Sequence, residues 1–194
     1  MATKRISKQP NSVHQLKVTL QDIQPPIWRR VAVPSDITLD ELHDVLQEVM
    51  GWHHSHLHDF RVGKVTYGDP DLLQDLADRD ERQARLAEIA PKPKKRFQYT
   101  YDFGDNWELE ILIEAVGPPE PGTRYPSCLA GERAGPPEDS GGVWRYAYLL
   151  EAMADPSNPD REELEEFLKW LDEPFHPEAF DLKKINQRLR RYIR

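Results

Sequence analysis

Two short segments concentrate the side chains that could ligate a metal or move a proton. The first, Tyr99 to Glu110 (YTYDFGDNWELE), sets Asp102, Asp105 and Glu108 with Asn106 and Trp107 around Gly104. Carboxylates gathered about a turn can act as oxygen ligands for a cation or as an acid/base set. Turn chemistry explains Asp105-Asn106 nearly as well, because both residues tolerate the backbone conformations of a tight turn. The second segment, His53 to Phe60 (HHSHLHDF), carries four of the seven histidines. His54, His56 and His58 are spaced i, i+2 and i+4. Along an extended strand their imidazoles would converge on one face, which is a start for a transition-metal site. The plainer reading is a polar strand end with His56 or His58 hydrogen-bonded to the core.

A third candidate is Glu138-Asp139, which follows Pro136-Pro137, a dipeptide that pins the backbone and could aim two carboxylates at a pocket. His56, His58, Asp102, Asp105, Asn106, Trp107, Glu108, Glu138 and Asp139 are therefore the candidate lining of a common pocket. His54, His56, His58 and Asp105 are the candidate ligands of a divalent transition metal. The string HSHLHD approaches the HxHxDH of metallo-hydrolases but inverts the order of its last two residues, and only His176 lies downstream to complete a second cluster. Cys128, the single cysteine, cannot form a disulfide within the chain or a thiolate zinc site, and nothing in the sequence places a base beside it.

The elements that must position these groups follow from hydrophobic spacing. Val13 to Leu20 alternates Leu16, Val18 and Leu20 with polar residues, and Ile27 to Val33 alternates in the same way after the turn residues Asp22 to Pro26. Thr38 with Glu41 forms a capping box ahead of a helix whose Leu39, Leu42, Leu46, Val49 and Met50 share one face, and Gly51 ends it. His43 borders that apolar stripe and reads as a partly buried, hydrogen-bonded histidine. Short strands are expected at Leu57 to Val62 and Lys64 to Tyr67, then a pair at Phe97 to Phe103 and Trp107 to Val116. Asp69 to Lys95, acidic, then Ala-rich, then basic, leaves open one or two short helices or a mobile excursion. Gly117 to Gly142 is rich in Pro and Gly, and its aromatics with Leu129 favour an ordered wrap. Helices are expected at Val143 to Ala154, Asp160 to Leu171 and Asp181 to Ile193, the last with Leu182, Ile185, Leu189 and Ile193 inward. Trp28, Trp52, Trp107, Trp144 and Trp170 read as core or rim packing, with Trp52 and Trp107 also near the two motifs. Strands first and helices last imply an α+β domain. Its sheet is mostly antiparallel and opens with a hairpin then a helix, a β-grasp-like start, and the C-terminal helices pack on one face.

Composition narrows the partners. The 194 residues suit one domain, expected over 13–194 after a flexible tail at 1–12. A formal charge of −8 disfavours nucleic acid, although Lys92 to Arg96 and Arg188 to Arg194 are local basic runs. No apolar run approaches the roughly 20 residues of a membrane helix. With one cysteine and no apolar leader, a cytoplasmic setting is expected.

Six blocks carry a resemblance: IQPPIWRRVAVP at 23–34, LDELHDVLQEVMGW at 39–52, SHLHDF at 55–60, YDFGDNWE at 101–108, CLAGERAGPPEDSGG at 128–142 and FDLKKINQRL at 180–189. In this order they are similar to the plasmid pRiA4b ORF-3-like family. The resemblance implies the fold more firmly than a task, since the family has no established reaction. It also implies a link to plasmids or insertion elements, where members are often labelled TnpR-type passenger proteins. Relatives commonly carry a histidine at the position of Leu109 and cysteines at those of Gly135 and Ser140. The TnpR label fails a chemical test. A serine recombinase needs an activated serine in an arginine-rich site and a basic DNA-binding domain, and the chain offers only Arg29-Arg30 and a net negative charge. The sequence therefore favours a binding or interaction module with an unidentified ligand or protein partner. The alternatives are a metal-dependent, hydrolase-like enzyme and a DNA-associated transposon accessory protein.

Overall fold

The structure of the protein, a computed structural model, describes residues 10–169, 171 and 174–192. The tail expected at 1–12 lies mostly outside the described residues, as do Trp170, Ile193 and Arg194.

The opening hairpin pairs Val13–Leu20 (β1) with Trp28–Pro34 (β2), in register from Val13 opposite Pro34 to Thr19 opposite Trp28. Period-two spacing buries Leu16, Val18 and Leu20 on one face with Val31 and Val33. Leu39–Met50 (α1) follows, with the Thr38 and Glu41 capping box in place and Gly51 at a φ of 87° as its left-handed stop. Leu39, Leu42, Val45, Leu46, Val49 and Met50 recur at helical spacing and are buried.

His58–Val62 (β3) and Val65–Gly68 (β4) form a second hairpin. The excursion after it is ordered as single turns, Pro70–Leu73 (α2) and Leu86–Ile89 (α3), with the two-residue strand Arg79–Asp80 (β5) between them. Arg96–Tyr101 (β6) and the eleven-residue Trp107–Gly117 (β7) are antiparallel. Ser127–Glu132 (β8) then joins the edge, and the helices Gly142–Ala154 (α4), Arg161–Lys169 (α5) and Leu182–Leu189 (α6) complete the described chain.

The eight strands form one sheet in the order β5-β4-β3-β6-β7-β1-β2-β8, antiparallel at every pairing except β4 with β5. The fold is α+β, as the order of elements implied. One core joins α1 to the inward residues of β1, β2, β6 and β7, and a satellite of Leu149, Ala152 and Leu164 holds α4 to α5. Helix α6 packs on both α1 and β8. Among the described residues no helix is long and apolar enough to cross a membrane.

Three expectations are corrected. The Pro/Gly-rich segment contains a strand, β8, which pairs with β2 from Trp28 opposite Glu132 to Ala32 opposite Ser127. Its flanking prolines and glycines masked a six-residue run. Trp144 is 88% exposed and not packed, because Tyr146 and Leu149 occupy the inward positions of α4. Leu182 is exposed at the first turn of α6, where Ile185 and Leu189 alone face inward.

Candidate metal centre

Strand β3 begins at His58 because His54 adopts a φ of 58°, which interrupts the extended run and separates the histidines. The loop before it is held by side chains of three other elements. The amide of His53 donates to Glu138 Oε1 (2.7 Å), that of His54 to Gln47 Oε1 (2.8 Å), and that of Ser55 to the Tyr101 hydroxyl (3.0 Å). This turns His56 toward the end of β6 and away from His54 and His58.

Asp102 meets it there. Its φ of 56° ends β6, its Oδ1 accepts the amides of Gly104 (2.9 Å) and Asp105 (3.3 Å), and its Oδ2 lies 3.6 Å from His56 Nε2. The 136–141 loop supplies the other wall. Trp52 stacks on Tyr101 at 4.8 Å and donates its indole N–H to the Pro136 carbonyl (3.1 Å). The Tyr101 hydroxyl donates to Glu138 Oε1 (2.9 Å). The Gly141 amide donates to Asp105 Oδ2 (2.9 Å), and Gly142 runs so close to the Asp105 carbonyl that a Cβ there would stand 2.5 Å from its oxygen. Of the eight non-glycine residues with left-handed φ among the described residues, His54, Asp102, Asn106 and Asp139 belong to this small region. All four are types that tolerate that conformation better than most. Such backbone geometry tends to gather at functional sites.

His56 Nε2 is the centre of the arrangement. It lies 3.2 Å from Asp139 Oδ1, 3.5 Å from Glu138 Oε2 and 3.6 Å from Asp102 Oδ2, it is buried, and it makes no hydrogen bond. Nitrogen and oxygen ligands at about 2.0–2.2 Å from a zinc-like ion stand about 3.3–3.6 Å apart along a tetrahedral edge. Nε2 thus makes no hydrogen bond, and its carboxylate spacing is close to that of ligands sharing one cation. The ligand atoms of His56, Asp102 and Asp139 lie within 4.8 Å of one another.

His54 and His58 belong to a second cluster, completed by His43. Gln47 Oε1 is occupied by the His54 amide, so its NH2 group donates to the Tyr99 hydroxyl (3.0 Å), which in turn donates to His43 Nδ1 (2.7 Å). His43 Nε2–H is then left to donate to His54 Nδ1 (3.2 Å). His58 stacks flat on His43 at 3.6 Å and donates Nε2–H to the buried Glu81 Oε2 (2.9 Å). Burial, then the neighbouring His58 and His54, pushes His43 well below the ordinary histidine range, and burial also lowers His54. Asp44, 3.6 Å from His54 Nδ1, is pushed up to about 7 by burial and then by Asp40 and Glu41. His43, Asp44 and His54 also have cation-compatible spacing, but their imidazole nitrogens already answer one another.

The family model described as Plasmid pRiA4b ORF-3-like protein matches residues 12–184. The chain belongs to the plasmid pRiA4b ORF-3-like family. Within it, the uncharacterized protein y4hQ of Sinorhizobium fredii (strain NBRC 101917 / NGR234) is 44% identical over 160 residues, 82% of this chain and 80% of that protein. Among solved structures, the crystal structure of MM3350, a protein of unknown function from Methanosarcina mazei Go1, resembles the chain with a TM-score of 0.77 at 37% identity, over 90% of this chain and 97% of that one.

In this pRiA4b ORF-3-like chain the two motifs do touch, through His56 and Asp102. The remaining candidates disperse. His54 and His58 face His43 and Glu81, Asp105 braces Gly141, Asn106 is an exposed turn residue, and Trp107 is buried edge-on to Tyr146. Glu108 lies on the opposite face of β7 from Trp107 and Leu109. Leu109 is fully buried core. The Cys128 thiol is pushed up to about 11 by burial and contacts the Ala130 carbonyl at 3.5 Å, a setting without an activating base. Sequence reasoning missed Glu81, Gln47, Tyr99 and Tyr101. Only the inward Tyr99 and Tyr101 carried a signal, the alternation of YTY in β6; Glu81 comes from the excursion, where no spacing ties it to His58.

A cavity of about 590 Å³ opens beside the site, with Glu138, Asp139 and His53 in its wall.

Proposed function

We propose that the protein is a binding module for a divalent transition metal, held by His56 Nε2, Asp102 Oδ2 and Asp139 Oδ1 with Glu138 completing the set. The observation that carries this is the buried His56 Nε2, which faces three carboxylates at 3.2–3.6 Å without a hydrogen bond. One imidazole with carboxylates suits zinc, manganese or cobalt better than a soft-metal site. Asp102 and Glu138 are steered by hydrogen bonds to their outer oxygens, the usual way a protein orients ligands. The single cysteine argues for a setting in the reducing cytoplasm, and the link to mobile elements rests on the labels of relatives.

The adjoining cavity favours a second reading, metal-dependent hydrolysis. A metal-bound water at its wall would titrate near about 7 and serve as nucleophile. The deciding experiment is elemental analysis of untagged protein, wild type against His56→Ala, Asp102→Ala and the control Glu108→Ala. One equivalent of metal, lost in the first two and kept in the third, is expected. A folded wild type that neither carries nor takes up zinc, manganese or cobalt on dialysis would overturn the proposal.

A further inference from the structure

Two arginines on adjacent positions of β2 are treated in opposite ways. Arg30 is met by Glu114 through two parallel bonds, Nε to Oε2 at 2.6 Å and Nη2 to Oε1 at 2.9 Å. Arg29 is 2% exposed and has no carboxylate partner. It donates from Nε to the Val49 carbonyl (2.7 Å) and from Nη1 to the carbonyls of Trp28 (2.8 Å) and Glu132 (2.8 Å). Those bonds tie β2 to the end of α1 and to β8, which is a structural role, but they leave Nη2 without a hydrogen bond among the described residues. Arg133, the other buried arginine among the described residues, is by contrast paired with Glu178 at 2.9 Å. Taking an unpaired guanidinium out of water is costly, and burial lowers Arg29 to about 10 against the weak support of Cys128 and Tyr146. Tyr146 adds a second unanswered donor, since its hydroxyl is buried without a hydrogen bond.

Arg29 lines the 590 Å³ cavity. Pockets for small organic ligands run about 300–1,000 Å³, mostly apolar with a few polar anchors. This one has such a surface: Phe167, Phe175 and Phe180 line it, and the Phe180 ring lies 5.1 Å from the Arg29 guanidinium carbon. Lys184 and Arg188 also line it, and Glu138 and Asp139 form the wall shared with His56.

We propose that the cavity binds a small organic anion, with a carboxylate or phosphoryl oxygen on Nη2 of Arg29 and an apolar body against Phe167, Phe175 and Phe180. The anion would be the molecule presented to the metal, a step that rests on the metal reading; binding at Arg29 does not.

The test is calorimetric titration of the chelator-treated, metal-free full chain with benzoate and with phenyl phosphate. Saturable binding of at least one probe is expected, weakened about tenfold or more in Arg29→Met, less in Arg29→Lys, and unchanged in the exposed-loop control Arg124→Ala. The preferred probe identifies the anionic group. Should Arg29→Met fail to fold, the side-chain nitrogen resonances of Arg29 in the wild type must move on titration. Absence of saturable binding by both probes at millimolar concentration, undiminished affinity in folded Arg29→Met, or unmoved Arg29 resonances would each overturn the proposal. Binding that persists in protein unable to take up metal would uphold it while removing the metal reading.

Discussion

The three-histidine cluster of His43, His54 and His58 and the group of His56 with three carboxylates share one short loop and obey different rules. Both ring nitrogens of His43 have an answer, Tyr99 at Nδ1 and His54 at Nε2, and Glu81 answers Nε2 of the stacked His58. Around His56 the nitrogen has three carboxylates and no hydrogen bond. Buried polar groups that are fully satisfied rigidify a fold, whereas a buried group left open asks for something not made by the chain itself. Hydrogen-bond accounting, which histidine count alone could not supply, separates the satisfied cluster from the one proposed to bind a metal.

The comparison breaks most sharply at His56. His56→Ala should lower zinc affinity more than about 100-fold, measured by competition with a chromophoric chelator, while leaving the urea midpoint close to wild type. The reverse outcome, lost stability with metal retained, would exchange the roles of the clusters. Glu81→Ala should do the opposite: it orphans His58 and costs about 1.5–3 kcal/mol in urea unfolding, with metal affinity within about twofold of wild type. Tyr101→Phe stands between them. It removes the donor to Glu138 and the acceptor for the Ser55 amide, so about a 10–100-fold loss of metal affinity is expected alongside only about 1 kcal/mol of stability.

The smallest effect is a pH effect. Asp44 titrates near 7 in the folded protein against 3.8 in the reference state. Between those values the folded chain holds the extra proton, so this group weakens the fold as pH rises from about 4 to 7. Asp44→Asn should therefore stabilise the protein by about 1–2 kcal/mol at pH 8, with the gain vanishing near pH 4 in denaturant titrations. His14, His43 and His54 work in the other direction. Their lowered values mean that the unfolded chain binds protons first, so acidification below about 6.5 destabilises the fold in both proteins.

Most of the fold was legible because it depends on near neighbours in sequence. Thr38 and Glu41 cap α1, Gly51 stops it, and Leu16, Val18 and Leu20 choose the face of β1. The candidate site was half legible. Residue types flagged His56, Asp102, Glu138 and Asp139, but their grouping depends on one left-handed residue, His54, and on which face a loop presents. A strict strand would have sent His54, His56 and His58 to the same side. Glu81 and Gln47 were invisible as partners because their contacts bridge elements that no local pattern relates.

The amides of His53, His54 and Ser55 belong to exposed residues, yet each is bonded to a side chain from a different part of the chain: Glu138, Gln47 and Tyr101. A surface loop held in this way is a lock with three keys. Its exchange with heavy water should be slow only when α1, β6 and the 136–141 loop are docked together, which makes these three amides a built-in gauge of whether the molecule has assembled.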